Sequence, residues 1–471
     1  MSKSISILNR VLFFLIIIST LLISCDKNDF ITSPDAMLRT SVDTLKFDTV
    51  FTTTGSITKS FKIVNRNNKA VRIAQLSLAG GAASPFKINV NGLPTVSTEQ
   101  VDIKANDSIY VFVKVNINPT AANQPFILAD SIRISYNGNI KFVQLQAYGQ
   151  NAVYLSNRKF TSDTILTGAK PFVILKGLTV DAGVTVTVQA GTKFYCHADA
   201  PILINGTLKL NGTASSKIVF TGDRLDEPYD AYPASWPGIY LNATSKDNYF
   251  NHVIIKNTFQ GLLLQQPSSN ANPKLVAERT EISNAFEVGV LLLNSSALFK
   301  NCLLARSGVN LAVIAGGNYN FENCTIAGYS TLYKPHLEAG TSIANFGTVA
   351  GALVNNNCLA NFTNCIFWGE NGSVKNELVT RRQGTSTLTV SLRNCIYKAE
   401  EQPGNVTFIA SIANQAPLFD SINVGRNSFD FHISNPGAPG INRGLPVGIG
   451  TDLDGKTRSV GITDIGCYEL Q

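Results

Sequence analysis

Aspartate is missing from the middle of this 471-residue sequence: none occurs between Asp247 and Asp420. Hydrolysis of a glycosidic bond normally takes two carboxylates facing one linkage, and calcium-assisted lyase chemistry needs acids to hold the metal, so the gap removes the usual materials for both. Nine glutamates remain there, from Glu278 to Glu401, and their spacing gathers no cluster on one face. Charge is scarce throughout, with 15% charged against 44% hydrophobic residues. That balance excludes disorder and fits a β-rich protein whose many strands each bury one face. The formal charge of +7 is mild for the length and includes Lys3 and Arg10 near the N-terminus. Without a Lys/Arg cluster there is no footprint for nucleic acid, although weak attraction to anionic polysaccharide remains open.

Cysteine is also sparse, and its placement is not that of a disulfide framework. Of eight cysteines, Cys25 belongs to the N-terminal leader, and four of the other seven recur inside one phrase. The phrase reads Phe299-Lys300-Asn301-Cys302, Phe321-Glu322-Asn323-Cys324, Phe362-Thr363-Asn364-Cys365 and Leu392-Arg393-Asn394-Cys395. Its Cys positions advance by 22, 41 and 30 residues, spacing that means a solenoid with one-coil steps, a two-coil step and coils lengthened by loops. Strand alternation turns Cys inward as a small apolar residue and leaves Asn at the bend before it. Equivalent positions in successive coils lie about 4.8 Å apart, which rules against a thiolate zinc site. Stacked Asn amides are expected to hydrogen-bond along the axis. Phe250-Asn251-His252 and Glu278-Arg279-Thr280 precede the phrase, with His252 and Thr280 expected in the Cys slot as core residues.

Residues 1–24 combine a basic start, an apolar run from Val11 to Ile18 and a small-residue approach to Cys25. This resembles a lipoprotein signal peptide, implying cleavage before Cys25 and lipidation of that residue. The following Asp26-Lys27-Asn28-Asp29 is similar to the charged signal that sends some Gram-negative lipoproteins to the outer face of the outer membrane. A polar tether completes residues 25–40.

Short alternating strands bounded by Asn, Gly or Pro fill residues 41–150, as in Ser108-Ile109-Tyr110-Val111-Phe112-Val113-Lys114-Val115. They indicate an antiparallel sandwich. The segments "FKIVNRNNKAVRI", "VNINPT" and "VQLQAYGQ" resemble the immunoglobulin-like domains of the spindle and flagellar type, which serve as spacers or protein contacts. From residue 151 to 428, tight turns at Gly and Asn separate strands of three to five residues. The series "GLTVDAGVTVTVQAGTKF", "INGTLKLNGT", "KIVFTGDR" and "SWPGIYL" is similar to right-handed parallel β-helix proteins, a fold that includes pectate lyases and polygalacturonases. About ten coils are expected. The tail 429–471, with "GTDLDGKTRSVGITDIGCYEL", resembles the closing module of bacterial β-helix surface proteins, read as a cap over the last coil.

Function is expected on loops, chiefly 222–236, 328–350 and 368–386. In the first, Asp223, Asp226, Glu227 and Asp230 offer hard oxygens for calcium, while Tyr229, Tyr232 and Trp236 offer rings for a sugar. The plainer reading is a solvated loop whose Trp236 packs back onto the coil. Arg381 and Arg382, the one adjacent arginine pair, are expected on a loop and suit a uronic acid. The resulting expectation is a non-catalytic, lipid-anchored surface protein that binds polysaccharide or a surface protein. A β-helix lyase or hydrolase is the alternative, and a structural spacer the third.

Overall fold

The computed structural model describes residues 29–52, 55–118, 125–349 and 351–471. The leader, Cys25 and the charged stretch at 26–28 lie outside the described residues. The chain is all-β and divides into two compact units, with the boundary between Gln150 and Asn151.

The first unit holds two five-stranded sheets. Alternation decides which side chains enter its core: Ile109, Val111, Val113 and Val115 are buried along Ser108–Val115 while Tyr110 and Phe112 face solvent. Pairing is antiparallel except where Asn139–Gln150 runs parallel to Thr44–Phe51, with a bulge at Ala147/Tyr148. Phe47, Phe61 and Phe86 anchor the core, each contributing about 2 kcal/mol by burial. Asn65, fully buried, donates to the carbonyls of Lys69, Ile103 and Lys104 and so satisfies a turn that would otherwise leave them bare.

In the second unit 26 strands form one parallel sheet in which each strand pairs with one two or three steps further on, a pattern consistent with a parallel β-helix. Three columns of strands result. One inward register line runs Leu166, Val188, Leu210, Phe250, Ala277, Phe299, Phe321, Phe362, Leu392 and Phe408, ten rungs in all. Like residues stack on like: Phe299, Phe321 and Phe362 have ring centroids 4.8 Å apart at each step, and Phe172, Phe194 and Phe220 repeat the device at 5.3 and 4.4 Å.

Phe321 and Phe362 are direct register partners, so the 41-residue advance is one rung and not two. The additional residues leave the stack as a long loop before Thr341 and as the hairpin Phe346–Val349 with Ala352–Asn355. Cys302, Cys324, Cys365 and Cys395 point inward, and their Asn neighbours turn the chain at φ of 49, 51, 55 and 50°. That left-handed region tolerates Asn better than most residues. His252, at φ 48°, occupies this corner line rather than the Cys slot, which Val253 fills; Thr280 does occupy the Cys slot. The misplacement is one residue, because Asn251, aligned with Glu278 and Lys300 before the corner, imitates the corner Asn of the later phrases.

The corner amides reach only partly along the axis. Asn364 donates to Asn323 Oδ1 at 3.2 Å, but Asn301, Asn323, Asn364 and Asn394 also donate to the carbonyls of Thr451, Asp464, Leu445 and Arg443. The C-terminal segment therefore runs along the side of the stack instead of over its last rung. Corner amides offer it a ready row of donors, and it shields the apolar outer face beneath: Leu303, Ala305 and Ala327 meet Phe431, Leu453 and Cys467, while Ile366, Trp368 and Ile396 meet Ile465. Arg458, buried, pins it by bonding Asn301 Oδ1, Thr463, Glu469 and the carbonyls of Asp464 and Gly466.

Arg458→Ala leaves Glu469 buried without its cation, and a loss of about 3 kcal/mol or more is expected, read as earlier urea unfolding. His252 supplies a pH test. Burial, with Arg279 and Lys217 nearby, lowers its pKa to about 4, so the folded state refuses a proton that the unfolded chain takes up near 6.5. Stability from this group is complete above about 6.5 and falls as the pH drops toward 4. His252→Asn, which restores the corner residue, should flatten the melting temperature between those pH values relative to the parent.

Candidate functional site

Among the described residues of this unit, two column faces are left uncovered by the C-terminal segment. The face built from Gln260–Gln265, the first half of Val288–Lys300, the first half of Val309–Glu322 and Thr341–Ala344 presents the line Leu263, Leu291, Ala312 and Ser342 outward. At one edge Phe259 stacks on Phe286 with centroids 5.8 Å apart, both rings more than 40% exposed. Lys334 Nζ stands 4.5 Å over the Phe286 ring. Phe286 and Lys334, with Glu287, Leu291, Leu337 and Glu338, line an apolar-floored groove of about 460 Å³.

The groove wall is the insertion inside the 41-residue rung, and buried charge fixes it. Glu377, at 1% side-chain exposure, lies 3.0 Å from His336 Nε2 and accepts the Gly340 N–H at 3.0 Å. Ser330 donates to Glu370 and accepts the His336 N–H. A carboxylate so buried is tolerated only with such donors, so the loop and Glu377 hold each other in place. Tyr333 then meets Tyr232 edge-on, with centroids 4.4 Å apart. Two of the loops singled out by sequence, 222–236 and 328–350, thus come together at this face.

The individual candidates separate. Tyr232 is half-buried against Tyr333, and Tyr229 is exposed, 5.1 Å from Tyr232 and 3.9 Å below the Arg224 guanidinium. Trp236 is withdrawn as a ligand contact: it is 1% exposed, stacks on Phe220 and donates Nε1–H to Lys256 O. The four acids diverge. Asp226 takes both arms of Arg224 at 2.7 and 2.8 Å, Asp223 faces His197 Nδ1 at 2.7 Å, and Glu227 and Asp230 point to solvent. Among the described residues no three His, Cys, Asp or Glu side chains converge as metal ligands, so the loop does not assemble the calcium site. Arg381 ends the strand Leu378–Arg381 rather than standing on a loop, Arg382 donates to Ser386 O, and neither lines the Phe286 groove.

Two carboxylates share one line that the spacing did not suggest, with a lysine between them. Glu278, Lys300 and Glu322 share a register line on successive rungs. Burial raises the Glu322 pKa, Lys300 opposes that and Glu278 adds to it, while Arg279 and Tyr249 occupy Glu278 at 2.6 and 3.2 Å. An alternating ladder of this kind neutralises itself. The seven described cysteines are all free and buried, and for Cys196, Cys302, Cys324 and Cys365 burial pushes the thiol well up, which keeps them unreactive.

No family model matches the chain, and no curated protein does. Among solved structures, partial similarity is found to a family 123 glycoside hydrolase from Clostridium perfringens that hydrolyses glycolipid glycans, at 12% identity and a TM-score of 0.19. That match covers 26% of this chain and spans only a quarter of the hydrolase, 25% of its length. The seventh PapD-like domain of human CEP192 is similar over 26% of this chain and 89% of its own, at 9% identity and a TM-score of 0.18. Likeness at this level carries neither fold nor activity across.

Glu377→Ala tests the wall. It strips His336 and Gly340 of their acceptor, and hydrogen exchange across residues 329–340 should quicken at least tenfold while the stacked phenylalanine strands keep their protection.

Proposed function

We propose that this chain is a lipid-anchored cell-surface binding protein, in which an immunoglobulin-like sandwich precedes a right-handed parallel β-helix that carries the ligand. The single observation behind the binding role is the Phe286 groove. It is a concave, apolar-floored strip lined by the exposed Phe286 ring, which Phe259 backs at its edge, bordered by Lys334 and held open by buried His336 and Glu377. An exposed phenylalanine face stacks on the apolar face of a sugar ring, and Lys334 offers one cation to an acidic unit, set against Glu287 and Glu338 in the same groove. Polysaccharide is accordingly the preferred ligand, with attachment through Cys25 placing the groove outside the cell on the outer membrane. The lipobox-like approach to Cys25 and the displaced charge signal after it support that placement.

Cleavage of the bound chain is the second reading, favoured by one observation: Glu287 and Glu338 line the same groove. Glu287 already accepts a hydrogen bond from Gln260 at 2.6 Å, which engages it before any substrate does.

Affinity electrophoresis through gels containing polygalacturonate distinguishes these readings. Retardation lost at least tenfold in Phe286→Ala, without new reducing or unsaturated ends in solution, is the expected result. Released ends that vanish in Glu287→Gln establish cleavage instead, and equal mobility of parent and Phe286→Ala removes the groove from the account. For the anchor, Cys25→Ser should shift the protein from the membrane pellet to the soluble fraction and abolish palmitate labelling.

A further inference from the structure

The other open face carries a groove of different chemistry. It lies where the second half of Val288–Lys300 and of Val309–Glu322 pair onward to Cys358–Thr363 and Leu388–Arg393. Its volume is about 640 Å³, and its lining contains no charged and no aromatic side chain. The floor is one outward register line, Ser296, Asn318, Leu359 and Thr389, spanning four rungs. Tyr319, Ala360 and Val390 alternate with that line into the core, which obliges the floor residues to face out.

The uncharged lining follows from contacts behind it. Lys274, at the edge of the wall loop, turns its ammonium inward onto the carbonyls of Asn242, Ala243 and Ser245 at 2.9, 3.1 and 2.5 Å. Asp247 is held from behind by Asn270, at 3.0 and 2.9 Å, and by Asn272 at 2.8 Å. Those amides lower the Asp247 pKa, and the carboxylate is spent on keeping the wall in place. Opposite, Asn361 donates to Asn320 Oδ1 at 3.1 Å. Polar capacity is nevertheless left over. Ser268 Oγ is buried without a partner, and the side chains of Asn294, Asn318 and Thr389 take none among the described residues.

The geometry points to a second binding site here, for a neutral glycan chain lying along the stack. Amides and hydroxyls each offer donor and acceptor together, which matches the vicinal hydroxyls of an uncharged sugar. Leu359 and Ala271 supply the small apolar contacts that sugar C–H faces take. An anionic chain would lose water in this groove and find no cation, a cost that an all-neutral lining cannot offset. An added peptide strand has no ladder to join, because the floor is a sheet face whose backbone groups already pair between rungs.

The probes are mixed-linkage β-glucan, xyloglucan, galactomannan and dextran, with polygalacturonate as the anionic comparison, all against the full chain in affinity electrophoresis. The expected result is retardation by at least one neutral polymer, insensitive to salt because no charge is involved. It should weaken about tenfold in Asn318→Asp and in Thr389→Val at unchanged melting temperature, while Phe286→Ala leaves it intact. That last control separates this site from the aromatic groove, so either can fail alone. Failure of all four neutral polymers to bind overturns the inference, as does neutral retardation that survives both substitutions or follows Phe286 instead.

Discussion

Register is the constraint from which the rest of this structure follows. In a parallel stack every rung must return to the same place, so a phenylalanine above a phenylalanine is geometrically enforced once the corners repeat. The corner residues hold left-handed φ values between 45 and 55° from His252 to Asn394, and an inward Val, Thr or Cys follows each of them. Burial on the inner lines supplies the stability, and the αL corners supply the specificity of where each rung begins.

That economy also decides where function has room. The interior is filled by stacked rings and aliphatic side chains. One outer face is covered by the C-terminal segment, which takes up the corner amides as hydrogen-bond donors. Two faces remain, and insertions differentiate them. A loop tied down by Glu377 makes one aromatic and apolar with charge at the rim, whereas Lys274 and Asp247 draw charge away from the other. Both are rigid strips along the axis, the shape suited to a chain-like ligand.

Much of the fold was legible in the sequence because its causes are local. The Phe-x-Asn-Cys phrase encodes an inward ring, a left-handed corner and a small inward residue within four positions, and the alternation of Ser108–Val115 announces its own buried face. Errors arose where a long-range partner decides. The 41-residue advance is one rung because two excursions leave and rejoin it, which spacing alone does not distinguish from a second coil. The tail's cap-like residues make their bonds to corners far away in sequence, Asn301 to Arg458 among them. Of the site, the loops and Tyr232 were visible, but His336 and Glu377 were not. A glutamate among nine carries no mark of burial until its partner 41 residues earlier is brought beside it.

The register across that long rung carries both groove assignments, since it places the insertion on one face and Asn318 next to Leu359 on the other. A double-mutant cycle on Phe321→Leu and Phe362→Leu, read by chemical unfolding, tests it most directly. Stacked rings on adjacent rungs predict a coupling of about 1 kcal/mol for this pair and close to none for Phe299 with Phe362, which are separated by a full rung. Additive effects at Phe321 and Phe362 would contradict the register and with it the placement of both grooves.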